Sequence, residues 1–171
     1  MATARALSLF DKHEQRAQEP VYPHWVRVEL VREEGVPYDA RPECTEGANA
    51  GAFLAELLKR EPRETFLTVC LDTKNCVNGV HRVSIGTLDS CPARPREVFQ
   101  AAILSNASSV ILAHNHPSGD PAPSETDVRL TERLIAAGEV LGIDVLDHLV
   151  VGHGVWASMR KQRPDSWDGR G

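Results

Sequence analysis

The sequence predicts an α/β domain in which a mixed sheet is flanked by helices. Three observations carry that reading. Apolar runs of strand length alternate with segments of helical periodicity from Ala48 to Met159. A chain of 171 residues with 42% hydrophobic content is long enough to close one well-packed core and short for two domains of usual size. No internal repeat or low-complexity tract interrupts the pattern.

The elements follow in order. Residues 1–20 are polar, lack apolar periodicity and are expected to be loose. The domain is expected over residues 21–160. Tyr22 to Val31 alternates as a strand does, and Pro37 to Glu46 reads as a linker with turn residues. A helix is predicted over about Ala48 to Lys59. The apolar run Phe66 to Leu71 then predicts a strand over Thr65 to Asp72, with Cys70 in the core. A strand or hairpin follows over Val77 to Leu88, then a helix over Arg96 to Asn106 and a buried strand over Ser109 to Ala113. Val128, Leu130, Leu134, Ile135 and Leu141 recur at roughly helical spacing and predict a helix over Glu125 to Leu141. Strands over Asp144 to Gly152 and Val155 to Met159 complete the domain. The charged, Gly-containing end, residues 161–171, is expected to be a loose tail.

Composition excludes several function classes. A net charge of −5 argues against a general nucleic-acid groove, which requires a basic excess or stripe. Arg94, Arg96, Arg129 and Arg133 leave room for a local basic patch, although helix-surface arginines are more often solvated or paired. No run approaches the ~20 apolar residues of a membrane span, and no N-terminal apolar run has signal-peptide length. Cys44, Cys70, Cys76 and Cys91 form no CxxC pair and no disulfide framework. These features predict a cytoplasmic protein with reduced thiols and no membrane partner.

The chemistry concentrates in His114-Asn115-His116-Pro117-Ser118-Gly119, followed by Ser124 and Asp127. Strand side chains alternate, so His114 and His116 project to one side where the run Val110 to Ala113 ends. Pro117 to Pro123 cannot continue that strand and is expected to pass over the site as a rigid loop. Asp127 then falls in a first helical turn. Two imidazoles and a carboxylate supply three ligands to a divalent metal and leave a fourth position open, which is the catalytic rather than the structural zinc arrangement. Ser124 and Asp127 also fit a helix N-cap with an acidic residue in the first turn, which needs no metal. Capping leaves the two histidines unexplained.

His114-Asn115-His116-Pro117 with Pro123-Ser124 and Asp127 resembles the JAMM signature of JAB/MPN metalloproteases. The run from about Glu64 to Gly152 resembles more closely the RadC-like JAB domain. The matching pieces include Leu71 to Asn75, Val83 to Leu88, Pro95 to Phe99, Asn106-Ala107 and Leu141 to His148. The resemblance implies a three-layer α/β/α fold of the JAB/MPN, cytidine deaminase-like kind. It also implies one Zn2+ per chain on His114, His116 and Asp127, which lowers the pKa of its water toward about 7. A glutamate on an earlier strand is implied as the general base, and Glu64, before the aromatic Phe66, takes that place. Glu97 is its main competitor, as a residue favoured at a helix start; Glu56 and Glu61 read as solvated charges. Ser124 is implied as the oxyanion donor, worth on the order of 3 kcal/mol. The implied activity is a zinc metallopeptidase or isopeptidase acting on a protein or peptide substrate.

Asn115 stands where Ser or Thr is usual in eukaryotic JAMM sequences, which weakens transfer of deubiquitinase activity. RadC-like proteins often carry an upstream DNA-binding helix-hairpin-helix. Met1 to Glu61 is expected not to hold one, which weakens a role linked to nucleic acid or DNA repair. A non-catalytic JAB scaffold that binds partners is the remaining alternative, and homo-oligomers are compatible with the strand edges of such a fold. His148 has two readings, a buried structural histidine on the run Val145 to Val151 or a partner that orients a metal ligand, and the first is favoured. His13, His24, His81 and His153 lack ligand-like spacing and are given no role.

Overall fold

A computed structural model of the chain describes Cys44, residues 47–86 and residues 93–168. The expected strand Tyr22 to Val31, nearly all of the linker Pro37 to Glu46, Cys91 and the end of the strand expected to reach Leu88 lie outside the described residues. Helix α1 (Gly47–Leu58) is followed by strands β1 (Thr65–Leu71) and β2 (Val77–Ile85), helix α2 (Pro95–Leu104) and strand β3 (Ser109–Asn115). Helix α3 (Glu125–Leu141), strands β4 (Asp144–Val151) and β5 (Trp156–Ser158), and two short helices, α4 (Met159–Gln162) and α5 (Asp165–Asp168), complete it. The five strands form one mixed sheet in the order β2-β1-β3-β4-β5. The sheet is parallel between β3 and β4, which α3 joins, and antiparallel at every other pairing.

Every residue of β1 and β3 is buried, which explains why both read as continuous apolar runs rather than as alternating ones. Alternation nevertheless sorts their side chains onto two cores. Phe66, Cys70, Val110 and Leu112 pack on one face with Val98 and Phe99 of α2 and Val128, Leu134 and Ile135 of α3. Leu67, Val69, Leu71, Ile111 and Ala113 pack on the other with Leu54 and Leu58 of α1. Helices on both faces make the three layers expected.

Helix α3 starts and stops where local chemistry dictates. Ser124 at the N-cap and Asp127 at the third helical position form a capping box, and Gly142 takes the left-handed conformation at the C-terminus (φ 69°). Leu141, counted in the helical periodicity, lies at the solvated end and is 46% exposed.

Two features depart from expectation. In β4 the pairing jumps from Val110 opposite Val145 to Ile111 opposite Asp147, so Leu146 is bulged. Residues 145 and 148, three apart, thereby share a face, since Val145 lies in the α2/α3 core and His148 touches Phe66 of the same core. The chain beyond residue 160, expected to be loose, carries the end of α4 and the short helix α5 as far as Asp168. Trp167 is buried and donates its indole N–H to the Val145 carbonyl at 2.8 Å, so one aromatic anchors what charge alone marked as a tail.

The Thr68 hydroxyl of β1 is buried and has no hydrogen-bond partner among the described residues. Thr68→Val keeps the shape and removes that polar burden, so we expect a gain of about 1 kcal/mol in urea unfolding. A loss of stability would show that the hydroxyl is satisfied.

Candidate metal centre

The site grows from the C-terminal end of β3. The alternation that turns Val110 and Leu112 toward α2 and α3 brings His114, and then His116 just past the strand, to the same face. The crossover to α3 delivers Asp127 in its first turn. The ligand-capable atoms of His114, His116 and Asp127 all lie within 4.8 Å of one another. His114 Nε2 and His116 Nε2 are 3.0 Å apart, and they stand 3.4 and 3.5 Å from the two oxygens of Asp127. The edge of a tetrahedron of ligands about 2.0 to 2.1 Å from a zinc ion is about 3.3 Å, so these separations suit one small cation.

The far side of each imidazole supports that fit. His116 Nδ1 donates to the Asp120 carbonyl at 2.8 Å, an acceptor that forces the proton onto Nδ1 and leaves a lone pair on Nε2. Glycines hold this loop in place. Gly119 has φ +87°, and a Cβ at Gly152 would stand 2.1 Å from the Gly119 carbonyl oxygen, so a side chain there would drive the loop off His116. His114 Nδ1 meets His148 Nε2 at 2.9 Å, and Phe66 stacks parallel to His114 and edge-on to His148. His148 is therefore buried, as the favoured reading held, yet its partner is a candidate ligand, as the other reading held. Burial, with the neighbouring His114, pushes its pKa well below the ordinary imidazole range.

Asp127 answers to its cap as well as to the histidines. Its Oδ2 accepts from Ser124 N at 2.7 Å and from Ser124 Oγ at 2.6 Å, while Ser124 Oγ accepts from Asp127 N at 3.2 Å. Both sequence readings of this pair hold at once. The Ser124 hydroxyl proton, expected to meet an oxyanion, points at Asp127. Burial alone would raise the Asp127 pKa. Hydrogen bonding to His114 and His116 when those rings carry Nε2 protons, the charge of His114 in that state and the Ser124 bond outweigh burial and hold the carboxyl well below the usual carboxylate range. Asp127 also raises the His116 pKa, chiefly by hydrogen bonding; burial opposes this, and the Asp120 carbonyl and the charges of Asp127 and Glu64 add to it. An Nε2 proton on His116 thus serves the carboxylate in place of a metal. Without it, three electron-rich atoms face one another.

Glu64 immediately precedes β1, and Phe66, two residues on, pairs with His114, two residues before His116. Period-two alternation therefore sets Glu64 and His116 on one face at the same end of the pair. The Glu64 charge reaches His116. Asn115 ties this end down: its Oδ1 accepts from Thr65 N at 2.8 Å, and its Nδ2 donates to the Glu61 and Arg63 carbonyls at 3.2 Å each. The other glutamates stand elsewhere. Glu97 is in the first turn of α2 with Arg96 at 3.9 Å, Glu61 accepts from Arg82 at 2.9 Å, and Glu56 pairs with Lys59. A cleft of about 240 Å³ opens beside His116, between Lys59 to Pro62 and the Gly152-His153 turn.

The family model of the RadC-like JAB domain matches residues 44–164. The chain belongs to the RadC-like JAB family. The match extends past the Glu64 to Gly152 run at both ends, taking in α1 and α4. A UPF0758 protein of Moorella thermoacetica is 51% identical over 113 residues, 66% of this chain and 49% of that protein. Another, of Methanosarcina barkeri, is 46% identical over 105 residues, 61% of this chain and 46% of the relative. A third, of Desulforudis audaxviator, is 44% identical over 124 residues, 72% and 54% of the respective chains. This RadC-like chain thus spans about half the length of the curated relatives it matches.

Sequence reasoning gave no role to four groups that shape this RadC-like site: the Asp120 carbonyl, the Asn115 anchor, Thr131, and His153 on the cleft wall. Thr131 alone left a signal, standing four residues after Asp127 on one helix face. Among the arginines weighed as a basic patch, Arg129 donates to Thr126, Arg133 to the Ala93 carbonyl, and Arg96 faces Glu97.

Asn115→Asp would replace a two-proton donor with an acceptor facing two carbonyls. We expect a loss of about 2 to 3 kcal/mol in denaturant unfolding, with faster amide exchange at Thr65. Unchanged Thr65 exchange would show that the anchor is dispensable.

Proposed function

We propose that this domain is a zinc-dependent hydrolase of JAMM type that cleaves a peptide or isopeptide bond in a protein or peptide substrate. One observation carries the reading: two Nε2 atoms and a carboxylate converge within 3.5 Å, and the Nδ1 of each imidazole already has a partner. His114, His116 and Asp127 would hold the ion, and its chemistry when bound is Lewis acidity toward water and a carbonyl oxygen. The chain's own groups do the rest. Glu64, on the same face as His116, takes a proton from the attacking water as the water oxygen bonds to the carbonyl carbon. It returns that proton to the amine nitrogen as the C–N bond breaks. Ser124 orients Asp127 through Oδ2, and rotation of its hydroxyl away from that oxygen supplies a donor to the developing oxyanion. The cleft beside His116 gives an extended chain a path to these groups.

Wild-type protein purified without chelator should carry about one zinc, and His116→Ala should lose it. Glu64→Gln should keep the metal and lower hydrolysis of a peptide or isopeptide panel by about 10²- to 10⁴-fold. Wild-type protein that takes up no zinc when zinc is offered would sink the reading.

The pH dependence follows from His116. Its pKa is raised in the metal-free protein, so its protonation stabilises that state fully below the ordinary value of 6.5 and ceases to do so as pH rises through the raised value. A ligand nitrogen must instead be unprotonated. The rise in Tm on adding zinc should therefore be larger at mildly alkaline than at mildly acidic pH, with the decline setting in above 6.5 as pH falls. A zinc-induced rise that grows on acidification would remove His116 from the ligand set.

A further inference from the structure

We propose that His148 and Thr131 form a buried relay that fixes the tautomer of His114, presenting the His114 Nε2 lone pair to the metal position. The inference rests on the metal-centre reading above and adds two positioning residues to it, neither of which touches the ion.

The chain of contacts is short and dry. Thr131 Oγ1 lies 2.6 Å from the Asp127 carbonyl oxygen and 2.6 Å from His148 Nδ1; His148 Nε2 lies 2.9 Å from His114 Nδ1. Thr131, His148 and His114 are at most 1% exposed, so water does not compete for these contacts.

Proton counting assigns each bond a direction. A carbonyl oxygen only accepts, so the single Thr131 hydroxyl proton goes to Asp127. The contact with His148 Nδ1 then needs its proton from the ring, making His148 the Nδ1–H tautomer with a lone pair on Nε2. That lone pair requires a proton on His114 Nδ1. His114 Nε2 is left unprotonated, facing Asp127 Oδ1 at 3.4 Å and His116 Nε2 at 3.0 Å.

The relay also couples two ligands from different elements. It leaves His114 on β3, passes through His148 on β4, and ends at the backbone of Asp127 on α3. The Asp120 carbonyl performs the same duty for His116 from a loop. His114, which is buried, meets a side chain at its Nδ1 instead.

Ring ¹⁵N NMR of the metal-free protein at mildly alkaline pH, together with the zinc dissociation constant from chelator competition, tests this directly. In the wild type, His114 and His148 should both be Nδ1–H. Thr131→Val, nearly isosteric, removes the acceptor for His148 Nδ1–H. His148 should then move toward Nε2–H, His114 should follow, and zinc affinity should fall about 10- to 100-fold. Thr131→Ser should restore both readouts. Thr131→Val with wild-type affinity and tautomers would overturn the relay, as would a wild-type His114 protonated at Nε2. If Thr131→Val does not fold, the wild-type spectrum and Thr131→Ser still decide. A wild type that binds no zinc yet shows both rings as Nδ1–H would overturn the metal reading while supporting the relay.

Discussion

Two imidazole nitrogens and a carboxylate oxygen, all rich in electrons when no proton lies between them, do not gather within 3.5 Å of one another by mutual attraction. The surrounding fold holds them there. His114 is fixed by His148 behind it and Phe66 over it, His116 by the Asp120 carbonyl, and Asp127 by two hydrogen bonds from Ser124. Each restraint acts on an atom that does not face the centre or shares an oxygen that does. A cation, or protons in its place, is the missing partner that such an arrangement favours.

The sheet makes this possible by placing three independent segments at one end of its central strands. Because β1 and β3 are antiparallel, the start of one lies beside the end of the other, so Glu64 comes to His116 across the pair. Because β3 and β4 are parallel, α3 must cross over from the end of β3, and its first turn returns Asp127 to the strand it has just left. Asn115 points away from the two histidines and secures the Glu61 to Thr65 segment with three hydrogen bonds. Adjacent residues of one tripeptide thus serve opposite faces of the sheet.

Asp147 and His148 divide their work in the same way. Asp147 accepts from His148 N, Ser158 Oγ and Arg160 N, joining β4 to β5 and α4, and burial raises its pKa. His148 turns the other way, toward His114. The pair reads in sequence as a single motif, but one residue holds the sheet edge while the other supports the site.

The sequence alone determined what local periodicity and short spacing control. Burial on both faces marked β1 and β3, helical spacing marked α3, and the interval from Ser124 to Asp127 marked a cap. His-x-His at a strand end is likewise a local statement, since residues two apart must share a face. Only the tertiary structure decided the relations between distant segments. The setting of Glu64 beside His116 rather than Glu97 depends on strand register. His148 reaches the site because Leu146 is bulged; strict alternation from Val145 would have sent it toward α1. Trp167 is buried because the Val145 carbonyl and the α2/α3 core receive it. Register and bulges come from the fit of one strand against another, and that fit leaves no periodic trace in either strand on its own.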